Sequence, residues 1–75
     1  MNKSKEDKLF RELGKRIADM RKLKGFTQST LGDKAGLDRV AIGYIEQGKR
    51  RPTVTTLYRI AQSLGISLEN LVKDF

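Results

Sequence analysis

The stretch QSTLGDKAGLDRVAIGYIEQ, residues 28–47, decides the fold of this chain. Its apolar residues recur at the three- and four-residue spacing of two amphipathic helices. The residues that form the two inner faces are Leu31, Ala35, Ile42 and Ile45. Thr27 and Asp38 each precede one helix as an N-cap, and Gly36 is the left-handed turn residue between them. The stretch therefore predicts two short helices, residues 28–35 and 39–47, joined by a tight turn.

Two short helices joined by a glycine-containing turn form the helix-turn-helix arrangement, in which DNA-binding proteins place the second helix in the major groove. The core uses the inner face of that helix, so its outward positions are free to contact a ligand. These positions are Arg39, Val40, Gly43 and Tyr44. Arg39 begins the helix, where an arginine can bind a guanine through two hydrogen bonds. The alternative for Arg39 is an ordinary exposed arginine of the first turn.

The other three outward positions also have simpler alternatives. Val40 is a candidate for contact with a thymine methyl group, and is otherwise a partly exposed valine. Tyr44 is expected to contact a base or a phosphate, and otherwise leans on its neighbours. Gly43 has no side chain that could read a base, so we interpret it as the position at which the groove wall approaches the helix.

Helical spacing also precedes this stretch, and it predicts a first helix from residue 4 to residue 24 that ends at Gly25. Gly14 lies inside this helix, where a glycine costs about 1 kcal/mol relative to alanine. We therefore expect the helix to be firm only from Leu13 onward. Residues 1–8 are expected to be partly disordered.

Two further helices follow the basic loop Lys49-Arg50-Arg51-Pro52. Thr53 is the N-cap of a fourth helix, and Ser67 is the N-cap of a C-terminal helix within residues 66–75. No alternating pattern typical of strands occurs in the sequence. The chain is therefore predicted to be a single compact all-α domain of five helices over residues 1–75.

The charges are unevenly distributed along the sequence. Sixteen Lys and Arg against nine Asp and Glu give a net charge of +7. Residues 1–24 carry nine positive and four negative charges, residues 39–51 carry four positive and one negative, and residues 52–75 are neutral. A basic front and a neutral rear indicate a polyanion-binding protein with a separate face for other contacts. The alternative is a solvated surface with surplus lysine.

The composition also limits the chemistry. The 75 residues include no Cys and no His, which excludes disulfides and metal sites built on thiolate or imidazole ligands. The acids Asp19, Asp33, Glu46 and Glu69 fall on different predicted helices and form no metal or catalytic grouping. We therefore expect no enzyme activity, cofactor, metal or small-molecule ligand. No apolar run reaches membrane-spanning length, so we expect a cytoplasmic protein without a membrane partner.

The sequence resembles the Cro and phage-repressor-like helix-turn-helix family, also called the xenobiotic-response-element family. The residues that carry the resemblance are Thr27, Gln28, Leu31, Gly32, Ala35, Gly36, Ile42, Ile45, Glu46 and Gly48, and the pattern covers about Leu13 to Leu71. Leu37-Asp38-Arg39 most resembles the controller proteins of restriction–modification systems. One departure is Thr30, where the family usually has a Glu that completes a capping box with Thr27. We therefore expect the second helix to fray more than usual. The resemblance implies a lambda-repressor-like fold with the helix-turn-helix in helices 2 and 3.

The resemblance also implies roles for individual residues. It implies that an ion pair joins Arg21 in the first helix to Glu46 in the third. Phosphate contacts are predicted around the helix-turn-helix, at Thr27, Gln28, Gln47, Lys49, Arg50 and Arg51. For the basic loop, we expect two of the three cations Lys49, Arg50 and Arg51 to contact phosphate, and the alternative is a solvated segment.

The C-terminal helix carries a candidate dimer interface. Leu71 continues the core pattern of the resembled family, which leaves a second apolar stripe at spacings of four and three, formed by Leu68, Val72 and Phe75. Exposed apolar patches of this kind usually mark an interface. The alternative is that the stripe folds back on the protein's own core.

The sequence therefore predicts a transcriptional regulator that binds double-stranded DNA in the major groove as a homodimer on a palindromic operator. A controller-like protein of this kind would regulate its own promoter, with occupancy set by protein concentration. The alternatives are an antitoxin or protein-interaction module on the same fold, for which we would expect an additional tail, and a phage-type repressor.

Overall fold

The computed structural model describes residues 3–75, which form five α-helices and no strand. In chain order they are α1 (Lys3–Leu23), α2 (Gln28–Ala35), α3 (Arg39–Glu46), α4 (Val54–Ser63) and α5 (Leu68–Val72). The predicted all-α, five-helix fold is therefore confirmed.

Each of the last four helices begins at a side-chain cap. The caps Thr27, Asp38, Thr53 and Ser67 each accept a hydrogen bond from the backbone N–H three residues further on. At α2 the hydroxyls of Thr27 and Thr30 also lie 3.0 Å apart, within hydrogen-bond distance. Thr30 therefore contacts the cap in place of the glutamate that the resembled family uses. Helix α2 is regular from Gln28 to Ala35.

The helices surround one apolar core. Its buried side chains come from all five helices and include Leu13, Ile17, Leu31, Ala35, Ile42, Ile45, Leu57, Ile60, Ala61, Leu64 and Leu71. Helix α3 packs against both α1 and α2, and α5 closes the other end against α1 and α4. Of the two helices of the helix-turn-helix, α3 is thus fixed to α1, the longest helix, and α2 packs against α3 and α4.

Helix α1 differs from the prediction at both points where a weakness was expected. It is continuous from Lys3 through Gly14 to Leu23. The backbone of α3 lies directly against Gly14, where a Cβ atom would not fit. Residues 3–8 are helical, and Glu6 and Asp7 pair with Arg51. The structure therefore gives residues 3–8 as helix where partial disorder was expected, and residues 1 and 2 lie outside the described part.

The C-terminal segment corrects the predicted apolar stripe. Helix α5 ends at Val72, Lys73 is extended, and Asp74 has a positive φ of 68°, so Phe75 is not on a helix. Leu68 is half-buried and packs against the core. Only Val72 and Phe75 of the three predicted interface residues are exposed, at 37% and 45%.

Arg16 of α1 accounts for this early end of α5. Its Nη1 atom donates hydrogen bonds to the carbonyl oxygens of Leu71 (3.1 Å) and Lys73 (2.6 Å). Its guanidinium also lies 4.1 Å from the ring centroid of Phe75. Because these contacts satisfy carbonyl groups at the C-terminus of α5, the chain turns back toward α1 instead of continuing as a helix.

Candidate nucleic-acid interface

Helix α3 presents a row of exposed side chains on the side opposite the core. Arg39 is exposed, and Val40 and Tyr44 are 54% and 42% exposed. They lie at the first, second and sixth positions of the helix, whereas Ala41, Ile42 and Ile45 are buried. The structure thus places three of the four predicted base-reading residues on one accessible face.

Gly43 is the exception among these predicted positions. It is buried, and a Cβ atom built on it would lie 3.7 Å from Oε1 and 3.8 Å from Nε2 of Gln28. The residue therefore lies beneath the Gln28 side chain instead of on the exposed row. Its predicted place among the outward positions is wrong, because the Gln28 side chain of α2 covers this flank of α3.

Glu46, at the last turn of α3, connects the three helices around the interface. Its carboxylate accepts hydrogen bonds from Nε of Arg21 at 2.7 Å and Nη2 of Arg21 at 3.1 Å. Its Oε1 atom also accepts one from Nε2 of Gln28 at 3.0 Å. The Arg21 and Glu46 side chains are only 11% and 6% exposed. The implied ion pair is therefore present, and it joins α1, α2 and α3 at one point.

The charge of Arg21 is stabilised by this arrangement. The hydrogen bonds to Glu46 raise the pKa of Arg21 above its ordinary value, although burial acts in the opposite direction. A raised pKa keeps the guanidinium charged, and its contribution to stability would be lost only as the pH rises through that pKa. Arg21 also donates from Nη1 to the carbonyl oxygen of Phe26 at 2.9 Å, which fixes the turn before α2.

The Gln28–Glu46 hydrogen bond was not predicted from the sequence. It uses one of the two N–H groups of the Gln28 amide, and the side chain lies over α3. Gln28 therefore has one side-chain N–H and its backbone N–H at the start of α2 left for the predicted phosphate contact. Thr27 is exposed and serves as the N-cap of α2, and Gln47 is exposed after α3.

The loop after α3 divides its arginines between two neighbours. Arg50 donates its backbone N–H to the carbonyl oxygen of Tyr44 at 3.3 Å, and its guanidinium lies 5.6 Å from the Tyr44 ring centroid. Arg51 instead pairs with Glu6 (3.4 Å) and Asp7 (2.8 Å) of α1. Lys49 and Arg50 thus extend the exposed row of α3, while Arg51 does not. Within residues 3–75, two of the three loop cations, Lys49 and Arg50, are left without a carboxylate partner, the number predicted to contact phosphate.

The resulting surface is an exposed helix face with a positive border. Glu46 is the single acid of residues 39–51, and it is turned inward and paired, so the outward charges of this segment are those of Arg39, Lys49 and Arg50. Such a surface suits a groove walled by phosphates. With α2 and α3 at this edge, the five helices form a helix-turn-helix DNA-binding fold. The profile of the HTH_3 helix-turn-helix family matches residues 17–71, and the chain belongs to that family.

Comparison with known proteins gives relatives of the same kind. The chain is 40% identical over 60 residues to the uncharacterized HTH-type transcriptional regulator y4dJ of Sinorhizobium fredii, covering 80% of this chain and 78% of that one. It is 37% identical over 62 residues to the immunity repressor of Bacillus phage phi105, covering 83% of this chain but only 43% of the repressor.

Among solved structures, the restriction–modification controller protein C.AhdI of Aeromonas hydrophila superposes with a TM-score of 0.81 at 32% identity. The superposition covers 83% of this chain and 90% of the controller. The predicted resemblance to phage-repressor-like and controller proteins is thereby confirmed at the level of family and fold. No helix within residues 3–75 is long and apolar enough to cross a membrane.

Proposed function

We propose that this protein is a transcriptional regulator that recognises a specific sequence in double-stranded DNA by inserting α3 into the major groove. The observation that carries the proposal is the exposed row Arg39, Val40 and Tyr44, continued by Lys49 and Arg50, on a helix fixed from behind by Glu46. In this role Arg39 reads a base edge, and the loop cations contact phosphates. The proposal assigns DNA recognition, in the cytoplasm, and no catalysis.

Arg39→Ala is expected to weaken binding to the cognate site by about 1–3 kcal/mol and to relax base preference at one position per half-site. The cognate site is first obtained by selection from a random duplex library, and both variants are then titrated against single-base substitutions of it. Arg59→Ala is the matched control, because Arg59 is an exposed arginine of α4 whose loss removes the same charge. If Arg39→Ala keeps the wild-type preference at every position, Arg39 does not read a base.

We further propose that the protein acts as a homodimer on a palindromic operator. Val72 and Phe75 are exposed beside a groove of about 620 Å³ between α1 and the C-terminal segment, whose apolar lining also includes Leu9, Phe10, Leu13 and Leu57. The charged lining residues Lys5, Lys8, Glu12 and Asp74 are two of each sign, so two copies can meet without net repulsion. A two-fold axis there would pair two α3 helices on half-sites about 34 Å apart.

Val72→Glu is expected to give a folded monomer, because two-fold symmetry would bring the new carboxylate against the apolar surface of the partner. Sedimentation measures the oligomeric state, and titration on single and paired half-sites measures the loss of cooperative binding. Leu23→Glu, at the 87% exposed end of α1, adds the same charge outside the groove and should leave the dimer intact. A dimeric Val72→Glu variant would show that the interface lies elsewhere.

The regulated gene is proposed on the similarity to C.AhdI, a restriction–modification controller protein. We propose that the protein regulates its own promoter and a neighbouring gene, with occupancy set by its concentration through dimerisation. A reporter fused to the upstream sequence, measured at graded levels of the protein, tests this. A response that does not vary with protein level would contradict it.

A further inference from the structure

The Arg51 side chain contacts side chains of α1, the helix that precedes the helix-turn-helix. Its Nη2 atom lies 2.8 Å from Oδ1 of Asp7 and its Nη1 atom 3.4 Å from Oε1 of Glu6. Its guanidinium also lies 5.0 Å from the ring centroid of Phe10. One of the three cations of the basic loop thus contacts two carboxylates and an aromatic ring.

Contacts other than the two ion pairs also hold this loop. Gly48 packs against the backbone of Arg11 so closely that a Cβ atom there would lie 2.8 Å from the Arg11 Cα atom. The backbone N–H groups of Lys49 and Arg50 both donate to the carbonyl oxygen of Tyr44. Since these contacts and the Phe10 ring remain when the carboxylates are neutralised, removing the negative charges should free the Arg51 guanidinium without disordering the loop.

The two carboxylates and a DNA phosphate are alternative partners for Arg51. The side chains of Arg51, Glu6 and Asp7 are 43%, 39% and 44% exposed, so their contact lies at the surface, where a DNA phosphate can approach it. A DNA phosphate offers Arg51 the same chemistry, an anionic oxygen pair for a guanidinium fork. The carboxylates also place negative charge beside the cations that would face the DNA backbone.

We propose that Glu6 and Asp7 occupy Arg51 in place of a DNA phosphate and thereby lower the affinity of the protein for double-stranded DNA of any sequence. This inference rests on the proposed DNA-binding function. In the wild-type protein the loop then neutralises phosphates through Lys49 and Arg50, and Arg51 contributes only when the two carboxylates lose their charge. The carboxylates do not change base reading by α3, so they lower the affinity for cognate and for non-cognate DNA by the same factor.

The test measures affinity for a short mixed-sequence DNA duplex over a salt series with four proteins: wild type, Glu6→Gln/Asp7→Asn, Arg51→Ala, and the triple variant. The Glu6→Gln/Asp7→Asn protein should bind more tightly, with a plot of log affinity against log salt steeper by about 0.9, the value for one phosphate. Between about 50 and 200 mM salt its affinity should therefore fall about 3.5-fold more than that of the wild type. In the wild-type background, Arg51→Ala should leave the slope unchanged. In the triple variant, the same substitution should return the steeper slope to the wild-type value.

The control separates this contact from a general effect of charge. Asp19→Asn/Glu69→Gln removes two exposed carboxylates that contact neither the loop nor the groove between α1 and the C-terminal segment. It should leave the slope unchanged, and a slope as steep as that of Glu6→Gln/Asp7→Asn would overturn the inference.

Two further results would overturn it while the DNA-binding proposal stands. An unchanged slope in the Glu6→Gln/Asp7→Asn protein would show that Arg51 does not reach phosphate. Weaker binding by that protein would show that the carboxylates position the loop. If the wild-type protein itself shows no salt-dependent binding to the duplex, the proposed function fails, and this inference fails with it.

Discussion

Glu46→Ala is expected to lower the free energy of unfolding by about 3–5 kcal/mol, the cost of leaving one partner of a buried ion pair alone. The Arg21 guanidinium would keep only the carbonyl oxygen of Phe26 as a hydrogen-bond acceptor, and Gln28 would lose its acceptor as well. A domain of this size has a total stability of about 4–11 kcal/mol, so this loss would remove a large part of it. Urea denaturation at fixed protein concentration measures the change.

Companion variants keep this prediction decidable even if Glu46→Ala does not fold. Glu46→Gln retains an oxygen acceptor and should lose less stability than Glu46→Ala. Arg21→Met/Glu46→Leu replaces both charges by apolar groups of similar size, and it should be close to wild type or more stable. Additive losses for Arg21→Ala and Glu46→Ala in the double variant would contradict the coupling that the contact geometry requires.

The effect on DNA binding should exceed the effect of an equal loss of stability elsewhere. Glu46 holds the last turn of α3 to α1 and α2, so its loss changes the orientation of the exposed row as well as its stability. A core variant of similar expected cost, Ile60→Ala at about 2–5 kcal/mol, lies in α4 away from this contact. At temperatures where the variants are equally folded, a Glu46 variant should still bind the selected site more weakly.

The helices and their caps could be predicted from the sequence because they depend on local chemistry. Thr27, Asp38, Thr53 and Ser67 each bond a backbone N–H three residues ahead, and this needs no knowledge of the remaining fold. The exposed row of α3 followed in the same way, because helical periodicity separates it from the buried face.

The contacts that the sequence could not predict join residues far apart in the chain. The pairing of Arg51 with Asp7 spans 44 residues, and the contact of Arg16 with Lys73 spans 57. Nothing in the neighbouring sequence distinguishes the charged residues of these contacts from ordinary solvated ones. As a result, the stripe predicted through Phe75 was wrong in detail, and the ion pairs of Arg51 were missed, although each prediction relied on a valid local signal.

Gly14 shows the same limit in its strongest form. Helix propensity alone marks it as a weak point, because alanine there would be better by about 1 kcal/mol. A Cβ atom at this position would instead meet the backbone carbonyl oxygens of Ile45 and Glu46, the latter at 2.5 Å. The residue is a glycine because α1 and α3 are in backbone contact there, at the same turn of α3 where Glu46 pairs with Arg21.

Gly14→Ala is therefore expected to lower the free energy of unfolding by about 2–3 kcal/mol, despite its better helix propensity, because backbone atoms on both sides prevent the methyl group from being accommodated by a side-chain movement. Gly43→Ala is the matched control. It makes the same change inside α3, where the added atom meets only the Gln28 side chain at 3.7 Å, an ordinary contact distance. That variant should be as stable as wild type or gain up to about 1 kcal/mol.

Urea denaturation should show opposite changes in the free energy of unfolding for these two glycine-to-alanine variants. Gly14→Ala should also weaken DNA binding, since separating α1 from α3 lengthens the Arg21–Glu46 contact and tilts the exposed row. If both variants gain stability equally, helix propensity governs both positions and the close approach of α1 to α3 does not constrain residue 14. A loss at Gly14 alone would instead show that the backbone contact between α1 and α3 constrains residue 14.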